Sequence, residues 1–120
     1  MRKAQGSILR IPSPLRAFAI LRGLAKTSGS IELKRLVVHP PGQGLGRQIL
    51  TALLAIAFKQ FHAHRLFLEV FCNHPRAFHL YPNLGFAEEG LMREAAFGNG
   101  GYHSLRLLSM PDREYSTRHC

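Results

Sequence analysis

Pro41-Gly42-Gln43-Gly44-Leu45-Gly46-Arg47 stands between two segments of opposite character. Before it, Ile31-Glu32-Leu33-Lys34-Arg35-Leu36-Val37-Val38 alternates and is partly β-branched, which predicts a strand. After it, Leu50, Leu53, Leu54, Ala57, Phe58 and Phe61 recur at the spacing of a helix with one buried face. A glycine-rich turn from a strand into a helix N-terminus presents unpaired backbone N–H groups backed by the helix dipole. Phosphate is the usual occupant of such a turn. The plainer alternative is a tight connection with no ligand, but three alternate glycines leave more free backbone than a turn requires.

The kind of phosphate site is narrowed by what surrounds the glycines. Arg47-Gln48 follow Gly46, where a nucleotide-hydrolysing P-loop would carry Lys and Ser/Thr. The glycines fall at every second position, not in the x-G-x-G-x-x-G spacing of a dinucleotide fold. With 120 residues, 46% hydrophobic and 19% charged, the chain suits one soluble domain with a single core. No apolar run has the length of a membrane span, and no signal peptide is evident, so a cytoplasmic protein is expected. Cys72 and Cys120 are too few for a disulfide framework and lack metal-ligand spacing. The net charge of +9 favours anionic partners, yet the basic residues are scattered and no aromatic stacking motif accompanies them.

Working outward, residues 1–14 include Pro12 and Pro14 and read as a flexible arm, with the domain proper over 15–110 and a polar tail over 111–120. Pro14 to Gly23 alternates as a strand, joined through the polar 26–30 loop as a hairpin to the strand ending at Val38. Past the helix, Arg65 to Cys72 is almost continuously apolar, the mark of a strand buried on both faces and reached by a right-handed parallel crossover. Glu69 interrupts that run, either at an edge of burial or in a polar cleft. Asn73 fits a helix N-cap and Pro75 the first turn, while Pro82 should shorten or kink the helix before Gly85 caps it. Phe86 to Leu91 and Tyr102 to Met110 read as strands flanking a glycine-rich turn.

Asn73-x-x-Arg76-Ala77-x-x-Leu80-Tyr81-x-x-Leu84-Gly85-Phe86 resembles motif B of the GNAT superfamily of acyl-CoA-dependent N-acyltransferases. The opening stretch resembles its motif A, Arg/Gln-x-x-Gly-x-Gly/Ala, with Gly44 and Gly46 on the glycines and Pro41 departing at the first position. The two motifs cover about residues 31 to 91 in the family's order. The resemblance implies an α/β (α+β) fold: a mixed, mainly antiparallel sheet with a central parallel strand pair and helices packed on it. The fold is expected to be reduced at its N-terminus, since the family's additional strand and two helices before the hairpin find no counterpart.

The same resemblance implies acetyl-CoA as acyl donor, held by Val37, Val38, Gly42, Gln43, Gly44, Leu45, Gly46, Arg47, Asn73 and Arg76. Glu32 is implied as the base that accepts the amine's proton; its plainer alternative is an exposed strand carboxylate paired with Lys34 or Arg35. Tyr81 is implied as the acid for the departing thiolate, a phenol being protonated at neutral pH; the alternative is a core tyrosine. Asn73 is implied to orient the pantetheine arm, in competition with its capping role. The seven histidines invite a metal reading, but His62-x-His64 has no third ligand at a recognisable spacing, and no metal is expected. The expected function is N-acetyl transfer from acetyl-CoA to an unidentified amine of a small molecule or protein. Alternatives are an inactive CoA-binding or interaction module and, on charge alone, a basic nucleic-acid binder. A sheet lacking its first helices should leave an apolar face and a strand edge uncovered, so a homodimer or larger species is expected.

Overall fold

Alternation after the polar loop does produce a strand, β3 (Ser30–His39), paired antiparallel with β2 (Arg16–Arg22). They belong to a computed structural model that describes residues 6–11, 16–23, 28–39, 45–72 and 75–119. Helix α1 (Leu45–Ala55) follows, then β4 (Arg65–Phe71), α2 (Pro75–Leu84), β5 (Ala87–Gly98), β6 (Gly101–Pro111) and α3 (Asp112–His119). With β1 (Gly6–Ile11), the strands form a six-stranded sheet in the order β1-β2-β3-β4-β6-β5. β3 and β4 are parallel and every other neighbouring pair is antiparallel. This is the mixed sheet with one central parallel pair that the sequence predicts.

One face of the sheet carries the core. Ile49, Leu50, Leu53 and Leu54 of α1 are buried, as are Ala57 and Phe58 just beyond it. They meet Leu21, Ile31, Leu66, Leu68, Leu108 and Met110 from the strands in a single cluster. Strand register accounts for the match, since Ile31 lies beside Leu66 and Leu66 beside Met110. Phe61 is an exception to the expected helix face. A π-helical turn over Ile56–Gln60, closed by Phe61 N–H donating to Ile56 O at 3.0 Å, adds a residue to the last turn and rotates Phe61 outward to 36% exposure. α2 runs through Pro82, which has no N–H to give, and ends where Gly85 takes a φ of 109° and Phe86 N–H reaches Tyr81 O.

Three expectations are corrected. The segment read as a flexible arm contains β1, which pairs along β2 from Gly6/Arg22 to Ile11/Ala17; an edge strand is held by backbone bonds that apolar alternation does not announce. The polar tail contains α3, whose Asp112 and Glu114 suit a helix start and whose buried Tyr115 stacks on Phe58 at 4.7 Å between ring centroids. β4 is not buried on both faces: Leu66 and Leu68 are buried, but Phe67 is half-buried, and Glu69 and Phe71 are exposed. No helix among the described residues covers that second face. It carries Arg22, Glu32, Arg65 and Glu69 beside Phe67 and Phe71, so it is mixed in polarity, not apolar as expected. No helix among the described residues is long and apolar enough to cross a membrane.

Candidate active site

The parallel ladder between β3 and β4 is short. Ser30 registers with Arg65, Ile31 with Leu66 and Glu32 with Phe67, and no further pair is registered among the described residues. Beyond Glu32, β3 continues on β2 as far as His39/Arg16, and beyond Phe67, β4 continues on β6 as far as Phe71/Leu105. The sheet is therefore open between its two central strands over their C-terminal halves. Among the described residues, no strand pairs with the β4-facing side of the segment holding Val37 and Val38. A ligand with amide groups along an extended arm would find in this gap the hydrogen bonds that a strand would otherwise supply.

α1 begins just past the open end of β3. Its first turn holds no acidic side chain, and Arg47 is exposed in it, an arrangement that suits an anion at the helix N-terminus. Gly46 packs near α2, where an added Cβ would lie 3.8 Å from Leu80 Cδ2. Leu45 opens the helix and Arg76 lies in the first turn of α2. Gly42, Gln43, Gly44 and Asn73 lie outside the described residues, as does Pro41. The parted strands and the unopposed helix end fit a long ligand with a pyrophosphate at one end.

At the closed end of the parallel pair, on the face without helices, a cavity of about 300 Å³ is lined by Arg22, Ser28, Ser30, Glu32, Arg65 and Phe67. Glu32 faces it because Ile31 and Leu33, its neighbours along the strand, are turned into the core. Its side chain is only 14% exposed, and its ion-pair partner is Arg22, directly opposite on β2, not Lys34 or Arg35. Arg22 Nη1 lies 3.8 Å from Glu32 Oε1, too long for a hydrogen bond. Arg65 is held more firmly. It donates to Glu89 Oε2 from Nε and Nη2, at 3.2 and 2.6 Å, and to Ser30 Oγ at 2.7 Å, with its guanidinium 4.7 Å from the Phe67 ring centroid. The Ser109 hydroxyl and the Arg65 guanidinium hold the Glu89 carboxyl below its ordinary value.

Tyr81 is half-buried against the core and meets Phe86 edge-on, at 5.6 Å between centroids. Burial pushes its phenol above the ordinary value, which keeps it protonated at neutral pH. No hydrogen bond joins Tyr81 to Glu32: the first belongs to the helix-covered side and the second to the open face. Arg22, Arg65 and Phe67 were not among the residues singled out in the sequence. Arg22 stands across the hairpin from Glu32, a pairing that an assigned hairpin register reveals. Arg65 and Phe67 join the site through the parallel register, for which a lone sequence carries no signal.

Residues 15–86 match the family model described as the Acetyltransferase (GNAT) family. The chain is similar to the spermidine N(1)-acetyltransferase of Vibrio cholerae, 31% identical over 86 residues that cover 70% of this chain and 50% of that protein. It spans about half the length of the curated relatives it matches. Among solved structures, the V. cholerae spermidine N-acetyltransferase in complex with CoA and spermine matches with a TM-score of 0.77 at 25% identity, over 87% of this chain and 69% of that one. A dodecameric form of the V. cholerae spermidine N-acetyltransferase matches with a TM-score of 0.79, also at 25% identity, over 90% and 71%.

Proposed function

The chain belongs to the Acetyltransferase (GNAT) family, and on that premise we propose that it transfers the acetyl group of acetyl-CoA to a primary amine. The observation that carries this reading is the parting of β3 and β4 beyond Glu32/Phe67, with the N-terminus of α1 at the open end. The gap receives the extended pantetheine arm beside Val37 and Val38. The turn through Gly42, Gln43 and Gly44 into Leu45, Gly46 and Arg47 holds the pyrophosphate on backbone amides. Asn73 and Arg76 bound the arm from the start of α2.

Glu32 takes a proton from the acceptor amine, directly or through water, so that the nitrogen lone pair can attack the thioester carbonyl carbon. A new C–N bond forms, the C–S bond breaks, and the bonding pair leaves on sulfur. Tyr81 gives its proton to that thiolate. Positioning the two reactants in one gap supplies a large part of the rate advantage of such a transfer. Spermidine, for which the relatives are named, is one acceptor to try, and the dodecameric relative supports an oligomeric state for this chain too. The competing reading is a CoA-binding module without turnover, favoured by Pro41, which removes one side chain and one N–H donor at the first position of the glycine motif.

Two measurements test the proposal. Acetyl-CoA should raise the thermal midpoint of the protein, and a folded Gly44→Asp variant should lose that response, because the carboxylate adds bulk and like charge at the phosphates. Thiol release from acetyl-CoA in the presence of an amine panel should then exceed the rate without amine. A wild-type protein that ignores CoA overturns the assignment; one that binds CoA without amine-dependent thiol release is the inactive module.

A further inference from the structure

The cavity beside Glu32 has a charge pattern of its own. Three charged side chains line it, Arg22, Glu32 and Arg65, and they are unequally engaged. Arg65 is engaged by Glu89 and Ser30 through three hydrogen bonds. Arg22 is not: its nearest carboxylate oxygen is 3.8 Å away, and its side chain is 44% exposed while that of Glu32 is 14% exposed. An acceptor in this cavity therefore meets one carboxylate and one guanidinium a few ångströms apart, with the Phe67 ring and the Ser28 and Ser30 hydroxyls as walls.

A polycation is poorly matched to that pattern. Its first ammonium group would find Glu32, but its next would approach Arg22, in a chain whose net charge is already +9. A polyamine site needs an excess of carboxylates, and here Glu89 is already committed to Arg65. We propose that the acceptor is an amine that also carries an anionic group, of the amino-acid type, with its ammonium on Glu32 and its carboxylate on Arg22. This rests on the acetyltransferase reading above and names the acceptor class for the same site.

Geometry and size agree with the assignment. A dipolar ligand entering between Arg22 and Glu32 replaces one long ion pair with two charge-assisted hydrogen bonds, each stronger than a neutral one. The cavity of about 300 Å³ corresponds to roughly ten waters at about 30 Å³ each, room for a single small molecule. Glu32 then both anchors the ammonium and accepts its proton. Arg22 acts as a specificity residue, distinct from the two proton-transfer groups.

The test uses matched pairs that differ only in the carboxylate: lysine with cadaverine, phenylalanine with phenethylamine, alanine with ethylamine, and spermidine alongside. With acetyl-CoA saturating, kcat/KM should favour the carboxylate-bearing member of each pair by about tenfold or more. Arg22→Ala should bring that ratio toward one by raising KM for the amino acid relative to that for its decarboxylated partner; Arg22→Lys should restore part of the ratio. Preference for spermidine or the decarboxylated amines, or a ratio unmoved by Arg22→Ala in a folded protein, overturns the inference. If no acceptor is turned over, calorimetric titration of the same pairs reads the preference as a ratio of Kd. Equal or absent binding of the carboxylate-bearing members then overturns it. CoA binding is scored separately by thermal shift, so loss of the acetyltransferase reading is distinguished from loss of the acceptor class.

Discussion

Leu66 and Phe67 are chain neighbours on β4, one fully buried and the other lining a polar cavity. The sheet that separates them has a face sealed by α1, α2 and α3, where eighteen apolar or aromatic side chains from strands and helices form one cluster. Its other face has no described helix and is organised by ion pairs: Arg22 with Glu32 across β2 and β3, and Arg65 with Glu89 from β4 to β5. Packing is concentrated on the first face and charge on the second. In the reaction proposed above, the base Glu32 lies on the open side, the acid Tyr81 on the covered side, and the parted β3 and β4 are the passage between them.

That division is most exposed to refutation through Glu32 and Tyr81. Glu32→Gln should lower turnover by about 100- to 10,000-fold while leaving CoA affinity near that of the wild type. Part of the loss should return at high pH, where free amine is abundant. Tyr81→Phe should slow turnover over a similar range with little recovery, since the leaving thiolate has lost its acid. If an acceptor is in hand and both variants stay within about twofold of the wild type across pH, the proposed roles are wrong.

The next effect contrasts the neighbours themselves. Leu66→Ala opens a cavity in the packed cluster and should cost about 2–5 kcal/mol of unfolding free energy. Phe67→Ala should cost clearly less, because its ring is half-buried against solvent and the Arg65 guanidinium, but it should widen the acceptor cavity and raise the acceptor KM. Denaturant unfolding and steady-state kinetics on both variants read the contrast. Equal destabilisation would mean that the open face is as much a packing surface as the covered one.

Much of this organisation is legible in the chain. The strand before the glycine stretch and the apolar stripe of α1 are encoded by local spacing, and the resemblance carried by Gly44, Gly46 and the Asn73–Phe86 pattern implies the family and its mixed sheet. The second face is harder to read. Phe67, Glu69 and Phe71 sit in a run that looks buried throughout, and composition does not reveal that no described helix covers them. β1 and α3 are hard to read for a related reason: an edge strand is held by its backbone, and α3 buries one aromatic side chain, Tyr115, on Phe58 within an otherwise polar segment. The cavity proposed for the acceptor joins residues 22, 32 and 65, which only strand register brings together.

A smaller effect is expected where β3 and β4 begin. Gly29 O accepts from both His64 N–H and Arg65 N–H, at 2.9 and 3.2 Å, tying the two strand starts together. Its φ is 75°, and an added Cβ would sit 2.9 Å from His64 Cβ. Gly29→Ala should therefore destabilise the fold by about 1–3 kcal/mol, from left-handed strain and the displaced His64. If β4 shifts to relieve that contact, Arg65 moves with it and acceptor KM rises as well. Thermal unfolding alone would register the strain, and kinetics would show whether the acceptor pocket follows it.

The smallest effect asks whether the open face depends on charge at all. Glu89 titrates below its ordinary value of 4.5, first because the Ser109 hydroxyl bonds its carboxylate and next because Arg65 does. A carboxylate lowered in the folded state contributes stability that is present above the ordinary value and lost as pH falls through the folded one. The pair is partly exposed, with Glu89 at 39% and Arg65 at 28%, so solvent screens it and its worth is under about 1 kcal/mol. Glu89→Gln should thus lower the thermal midpoint slightly at neutral pH, and the difference from the wild type should vanish once the wild-type carboxyl is protonated. Added salt should shrink it in the same way. A deficit that persists unchanged in acid and in salt would assign Glu89 a packing role. Arg65 would then be held in place by Ser30 and the Phe67 ring, and the contrast between a packed face and a charged one would narrow to Arg22 and Glu32.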